Sequence, residues 1–182
     1  VFSQGDFDAF LGSVSTVSGQ LARDRAKLDK ATFLSRYGHL RPGTYDILSP
    51  RYDEAPELYF DWKQQPPEPE SFKPFTLALS QMREIVKLLQ AHDLQPDAVG
   101  LFDFIQSGIE LRELAKFHFT RNLSDALALI TEIGGQHGIS REDLAFADIE
   151  VFKELHVGAT SQKDALLRSI DRGRARYAET LK

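Results

Sequence analysis

The residues best suited to chemistry lie in one short stretch, RYGHLRPGTYDILSPRYDE, at positions 36–54. Arg36, Arg41 and Arg51 each carry a planar guanidinium group that fits a phosphate or a carboxylate. His39 lies among them, and an imidazole donates to an anion or exchanges a proton near neutral pH. The residue types therefore predict an anion-binding loop with an acid–base group.

The same stretch also holds residues that shape a backbone. Gly38 and Gly43 allow another group to approach the chain closely, and the two prolines restrict its path. Tyr37 adds an aromatic surface beside the cations. A purely structural role explains the composition equally well, because Asp46 and Asp53 can pair with the arginines.

A second group of cations lies in ELRELAKFHFTRN, residues 110–122. On a helix, Arg112 and Lys116 share one side. Charged groups on so apolar a helix need partners or line a cavity. The alternative is that their aliphatic stems cover apolar surface while Lys116 pairs with Glu113.

Apolar residues recur at helical spacing along most of the chain. Segments with this pattern are residues 6–28, 30–37, 75–94 and 97–119, the last with a kink or a junction at Gly108. Ser3 or Asp6 is the candidate N-cap of the first segment. Three serines precede further helical segments as candidate N-caps: Ser124, Ser140 and Ser161. The segment after Ser124 is expected to end at the glycine pair 134–135.

These patterns predict an all-α fold without strands. We expect a single helical domain over residues 1–182, built as an irregular bundle of seven or eight helices. A long ordered loop near residues 38–54 and a Pro-rich connection near residues 62–74 interrupt the helices.

Composition narrows the classes of partner. The net charge is −5, with 27 acidic and 22 basic residues, which argues against a nucleic-acid partner. No apolar run reaches the roughly 18 residues of a membrane span, and the five histidines lack the spacing of a metal site. We therefore expect no nucleic acid, no membrane and no metal. The absence of cysteine fits a cytoplasmic protein.

Two stretches resemble a known family. FLSRYGHLRPGTYDILSPRYDE at 33–54 resembles a segment of the phosphoenolpyruvate-utilising phosphotransferases, the phosphoenolpyruvate synthase-like and rifampicin phosphotransferase-like proteins. RELAKFHFTRNLSDAL at 112–127 resembles a segment further along the synthase-like members. The order and separation of the two segments also match.

The resemblance implies a protein of three parts: an N-terminal ATP-grasp domain, a helical middle domain, and a C-terminal domain with a swivelling phosphohistidine. This chain resembles the middle domain alone. Because the chain begins with Val1 and holds a single methionine, Met82, we expect a fragment of a larger protein. The parent would be a phosphotransferase of the pyruvate, water dikinase type that uses ATP and Mg²⁺, while the fragment binds no cofactor and is inactive alone.

Residue by residue, the resemblance implies a small-molecule acceptor whose hydroxyl group is activated by His39. The expected acceptor-binding residues are Arg36, Tyr37, Arg41, Arg51, Arg112 and Lys116. Arg41 stands where relatives often have glycine, so the identity of the acceptor stays open. The alternative is a noncatalytic helical scaffold or interdomain linker that braces the nucleotide-binding and swivelling domains.

Overall fold

The computed structural model describes residues 2–64, 66, 74–95, 97–155 and 161–182. These residues confirm the all-α class, because they form helices and no strand. The helices are α1 Gln4–Ser13, α2 Val17–Lys27, α3 Lys30–Tyr37, α4 Pro56–Tyr59, α5 Leu79–Ala91, α6 Ala98–Gln136, α7 Arg141–Leu144, α8 Glu150–Glu154 and α9 Gln162–Thr180. Within the described ranges, no helix has both the length and the apolar character that a membrane crossing requires.

The chain divides into two compact units. Unit 1 contains residues 1–33 and 62–118, and unit 2 contains residues 34–61 and 119–182. The boundary between the two units falls within α6, which is one continuous helix. Its residues 98–118 belong to unit 1 and its residues 119–136 belong to unit 2. The expectation of a single domain remains a prediction.

The core of unit 1 lies where α5 meets the start of α6. Ile85, Leu89 and Ala98 are buried there, and partly buried residues such as Met82 and Phe102 pack against them. Elsewhere in unit 1 the ring of Trp62 packs against the edge of Phe33, with 5.7 Å between ring centroids, and the guanidinium carbon of Arg25 lies 4.2 Å from the Trp62 ring.

The core of unit 2 gathers apolar residues from four helices and the loop after α3. Its buried members are Ile47, Ile130, Ile139, Leu144, Val151, Leu166 and Ile170. Because Ile47 is part of this cluster, the loop that carries the candidate site is anchored in the core rather than lying on the surface alone.

Several local predictions are confirmed. Ser3 caps α1 in a capping box with Asp6, and Ser140 caps α7. Helix α3 occupies residues 30–37 as expected, with Phe33 fully buried and Gly38 immediately after it.

Other predicted boundaries are wrong. Residues 6–28 form two helices, since the chain is extended at Val14 and Thr16 caps α2. The backbone N–H of Ser15 donates to Glu110 of α6 over 2.8 Å, so a distant residue satisfies the break. The segment 141–155 is likewise interrupted, forming α7 and α8.

The two segments predicted at 97–119 and 124–135 are one helix. Helix α6 passes through Gly108 and through Ser124, which is therefore not an N-cap. The helix ends past the glycine pair, where the positive φ of 71° at Gly138 and the hydrogen bonds Ile139 N to Gly134 O and Gly138 N to Gly135 O form a Schellman motif.

Some predictions concern residues outside the described ranges. Most of the Pro-rich connection at 62–74 lies there, as does His156. Helix α9 begins after Ser161 as expected, but the Ser161 side chain makes no capping hydrogen bond.

Candidate functional site

The stretch after α3 is a closed loop, which we call the arginine loop (residues 38–53). Backbone hydrogen bonds join its two ends: Asp53 N donates to Gly38 O over 3.1 Å, and Tyr52 N donates to Leu40 O over 2.9 Å. A compact surface loop whose ends meet and whose own side chains pack inside it is an Ω-loop. The expectation of a long ordered loop near residues 38–54 remains a prediction.

Gly38 makes the closure sterically possible. A Cβ atom at this position would lie against the carbonyl oxygen of Leu34 and 2.9 Å from the Cβ atom of Asp53. The sequence suggested that glycine allows a close approach in this loop. In the structure the group that approaches Gly38 is the far end of the same loop, so this glycine is explained by loop closure.

Arg41 is the internal staple of the arginine loop. Its side chain is buried, with 8% of the residue exposed. Nη1 donates to the carbonyl oxygens of Asp46 and Ser49 over 3.3 and 3.1 Å, and Nη2 donates to the Oγ atom of Ser124 over 3.1 Å. Burial lowers the pKa of the Arg41 guanidinium below its ordinary value, yet an arginine remains charged. The charged guanidinium group of Arg41 is therefore stabilised by the dipoles of these carbonyl and hydroxyl groups.

Arg51 fixes the end of the loop to α6. Its Nε and Nη2 atoms donate to the two carboxylate oxygens of Asp53 over 2.9 and 2.8 Å, and Nη1 donates to Asp125 over 2.8 Å. Burial alone would lower the pKa of Arg51, but the hydrogen bonds with the two carboxylates outweigh it and raise that pKa. With two carboxylate partners, this guanidinium is largely committed within unit 2.

Glu54 continues the network beyond the loop. It accepts the backbone N–H of Arg51 and a bidentate pair of hydrogen bonds from Arg141, at 3.2 and 3.1 Å. Burial would raise the pKa of Glu54, but the hydrogen bonds from Arg141 and Arg51 more than compensate and lower it. Arg141 is thus the residue through which the start of α7 is tied to the loop.

The candidate catalytic residue is buried in this arrangement. His39 is 5% exposed and Tyr37 is 1% exposed. Arg36, on the last turn of α3, is exposed, and its guanidinium carbon lies 5.4 Å from the centroid of the Tyr37 ring. Of the loop cations named from the sequence, Arg36 is therefore the one presented to solvent.

The remaining two predicted site residues belong to the other unit. Arg112 and Lys116 lie on the part of α6 that falls in unit 1, and both side chains are exposed. The loop residues Arg36 to Arg51 all fall in unit 2.

The two stretches that carry the family resemblance meet within unit 2. Besides the contacts of Arg41 with Ser124 and of Arg51 with Asp125, the Nη2 atom of Arg121 donates to the backbone oxygen of Arg36 over 3.2 Å. Ser124 and Asp125 were not named as site residues from the sequence. The signal that could have found them is their position inside the second of the two resembling stretches.

The network also contains residues for which the sequence offered no local signal. Ser49 and Arg141 are polar residues of ordinary loop and helix segments, and nothing in their spacing marks them as partners of Arg41 and Glu54.

Comparison of the chain with protein-family models, with curated proteins and with solved structures gives no match.

Proposed function

We propose that this chain is the acceptor-binding helical domain of an ATP- and phosphohistidine-dependent phosphotransferase resembling phosphoenolpyruvate synthase. The observation that carries the proposal is the meeting of the two family-like stretches, through Arg41–Ser124 and Arg51–Asp125, in one folded site. Under this proposal the protein is cytoplasmic. The parent chain supplies an ATP-grasp domain that binds ATP and Mg²⁺ and a swivelling phosphohistidine domain.

In the proposed reaction the β-phosphoryl group of ATP passes to the histidine of the swivelling domain, AMP leaves, and the γ-phosphate is transferred to water and released as inorganic phosphate. The P–N bond of the phosphohistidine then breaks as a hydroxyl oxygen of the acceptor takes up the phosphoryl group. The hydroxyl proton passes to His39 as the new P–O bond forms. Since His39 is 5% exposed in this chain, the acceptor must reach it through a change in the packing around the arginine loop. We assign this change in packing to the docking of the swivelling domain.

In this proposal the arginines at residues 36–51 have separate roles. Arg41 and Arg51 donate to groups of the protein itself, so in the proposal they are positioning residues that hold the wall of the site. Arg36 is exposed, which suits a contact with the acceptor or the transferring phosphoryl group. Roles for Tyr37, Arg112 and Lys116 in acceptor binding remain predictions.

The second candidate function is a noncatalytic scaffold that braces the neighbouring domains of the parent chain. It is favoured by one observation: both Nη atoms of Arg41, and the Nε and Nη atoms of Arg51, donate to acceptors within unit 2. A scaffold needs such internal staples, whereas a phosphate-binding arginine keeps donors directed at its ligand.

The test uses the parent protein with His39→Gln, which keeps a polar side chain of similar reach. The parent is incubated with ATP labelled at the β-phosphate, and phosphohistidine formation and label transfer to acceptor are followed separately. The acceptor role predicts normal phosphohistidine and a loss of transfer of about a hundredfold or more. Unchanged transfer to the acceptor would leave the scaffold as the better proposal.

A matched control guards against a folding defect. Ile47→Val shortens another buried side chain of the arginine loop by one methylene group, and Ile47 is not among the expected acceptor-binding residues. Thermal unfolding of the wild type and both variants is compared by circular dichroism. Equal loss of acceptor transfer in Ile47→Val and His39→Gln, together with equal loss of stability, would count against a chemical role for His39.

A further inference from the structure

Unit 1 contains a cavity of about 580 Å³ that the proposed function does not use. Three phenylalanine rings line it and contact one another edge to face or at a tilt: the ring centroids of Phe10, Phe75 and Phe102 are 5.3 to 5.4 Å apart. Volumes of 300–1,000 Å³ with apolar and aromatic walls are typical of small-molecule sites. We call this space the aromatic cavity.

The aromatic cavity has a buried floor and an open rim. Phe10 and Ala98 are 5% and 2% exposed, whereas Leu79 and Val99 at the rim are 77% and 57% exposed. A ligand can therefore enter from solvent and bury apolar surface against the floor. Burial of apolar area is stabilising by roughly 25 cal/mol per Å². A ligand with an aromatic hydrocarbon part therefore gains most of its affinity from the contact of that part with the floor of the cavity.

Two polar groups on the wall of the aromatic cavity are hydrogen-bond acceptors. Ser13 is 4% exposed and lines the cavity, and its hydroxyl already donates to the carbonyl oxygen of Phe10 over 2.7 Å, which leaves Oγ as an acceptor. Asp103 supplies a carboxylate. Among the described residues that line the cavity, none is a lysine, an arginine or a histidine.

We propose that the aromatic cavity is a binding site for an apolar amine, with the hydrocarbon body among the phenylalanine rings and the ammonium group at Asp103. A carboxylate attracts an ammonium group because the two carry opposite charges, and the face of an aromatic ring attracts a cation as well. An anion of the same shape meets a carboxylate and no cationic side chain from the described wall, so it is rejected. The site is independent of the proposed role of the arginine loop.

Three probes of matched size test the ligand class: 2-(1-naphthyl)ethylamine, 1-naphthaleneethanol and 1-naphthaleneacetate. Their binding to the chain is measured by isothermal titration calorimetry near neutral pH, at probe concentrations up to about 1 mM. The amine is expected to bind about tenfold more tightly than the alcohol, and the alcohol more tightly than the carboxylate. Equal affinity for the three probes, or no binding of the amine, would overturn the proposal.

Two variants locate the site. Asp103→Asn removes the charge from an exposed position and should weaken the amine about tenfold, to the affinity of the alcohol, while the alcohol is unaffected. Val99→Trp fills the rim from an exposed position and should weaken the amine and the alcohol alike. Full amine affinity in either variant would place the binding elsewhere and reject the aromatic cavity.

The matched control is Phe104→Trp. Phe104 is on the same helix and 76% exposed, and it does not line the aromatic cavity. This variant should bind all three probes as the wild type does. A loss of amine affinity as large as that of Val99→Trp would show that any bulky change on α6 perturbs binding, which contradicts a site defined by the cavity.

Discussion

The Nη2 atom of Arg41 lies 3.1 Å from the Oγ atom of Ser124, although the two residues are 83 positions apart. A cation of the arginine loop is thereby hydrogen bonded inside unit 2 to a serine in the middle of a long helix. The same guanidinium also holds the loop's own carbonyl oxygens at Asp46 and Ser49. One side chain thus closes the loop and attaches it to α6.

Arg41→Met should lower the free energy of unfolding by about 2–4 kcal/mol, because the carbonyl oxygens of Asp46 and Ser49 and the buried Oγ atom of Ser124 lose a charged donor. Urea denaturation followed by circular dichroism measures this. Arg112→Met removes an exposed arginine and should change the free energy of unfolding by at most about 0.5 kcal/mol. Equal effects of the two variants would contradict the role of Arg41 as a staple.

Ser124→Ala should destabilise the chain by about 1 kcal/mol, because it removes the Oγ acceptor of Arg41. Combined with Arg41→Met, it should show a coupling energy of about 1 kcal/mol in a double-mutant cycle. Strict additivity of the two substitutions in urea denaturation would mean that the hydrogen bond contributes nothing measurable.

Gly38→Ala and Gly108→Ala should have opposite signs. A methyl group at Gly38 meets the Leu34 carbonyl and Asp53, so the substitution should destabilise by about 2 kcal/mol or more. At Gly108, inside α6, the methyl group meets open space, so helix propensity should stabilise by about 0.5–1 kcal/mol. Melting temperatures of the two variants against the wild type decide this, and stabilisation by Gly38→Ala would refute the close approach.

The pair of Glu54 with Arg141 should make stability depend on acid pH. The pKa of Glu54 is lowered below its ordinary value of 4.5, chiefly by Arg141 acting against burial. A depressed carboxyl pKa contributes stability that is complete above the unfolded-state pKa and is lost as pH falls through the folded-state pKa. The free energy of unfolding should therefore decrease below about pH 4.5.

Glu54→Gln should flatten that acid-side decrease, measured by urea denaturation at several pH values. Glu84→Gln is the control for loss of one negative charge, since Glu84 pairs with Lys87 on an exposed helix surface. The same flattening in both variants would show that net charge, and not the Glu54–Arg141 pair, sets the pH dependence.

Much of the helical structure could be predicted from short-range signals. Ser3 and Ser140 precede residues whose backbone N–H groups they cap, and a cap acts over three positions, within reach of a sequence pattern. Helix α3 ends at Tyr37, but Gly38 after it lacks the positive φ of a glycine C-cap, so closure of the arginine loop explains this glycine instead. Ser124 is an exception, because α6 passes through it and no helix begins there; its Oγ atom accepts a hydrogen bond from Arg41.

The break in the segment 6–28 could not be predicted in the same way. The apolar spacing continues across it, and Glu110, which accepts the N–H of Ser15, is 95 positions away. A backbone group can leave a helix where a distant side chain satisfies it. No window of local sequence contains that information.

The sequence by itself determined the helical class, the starts of α3, α7 and α9, and the concentration of arginine, histidine and tyrosine at residues 36–54. The tertiary structure decided the partners and the exposure of those residues. The guanidinium groups of Arg41 and Arg51 donate to groups within unit 2, His39 is buried, and Arg36 is exposed. The physical reason is the separation along the chain over which each kind of interaction acts. Helix propensity and capping act over three or four residues, whereas the fate of a guanidinium depends on which acceptors the whole chain brings within hydrogen-bonding distance.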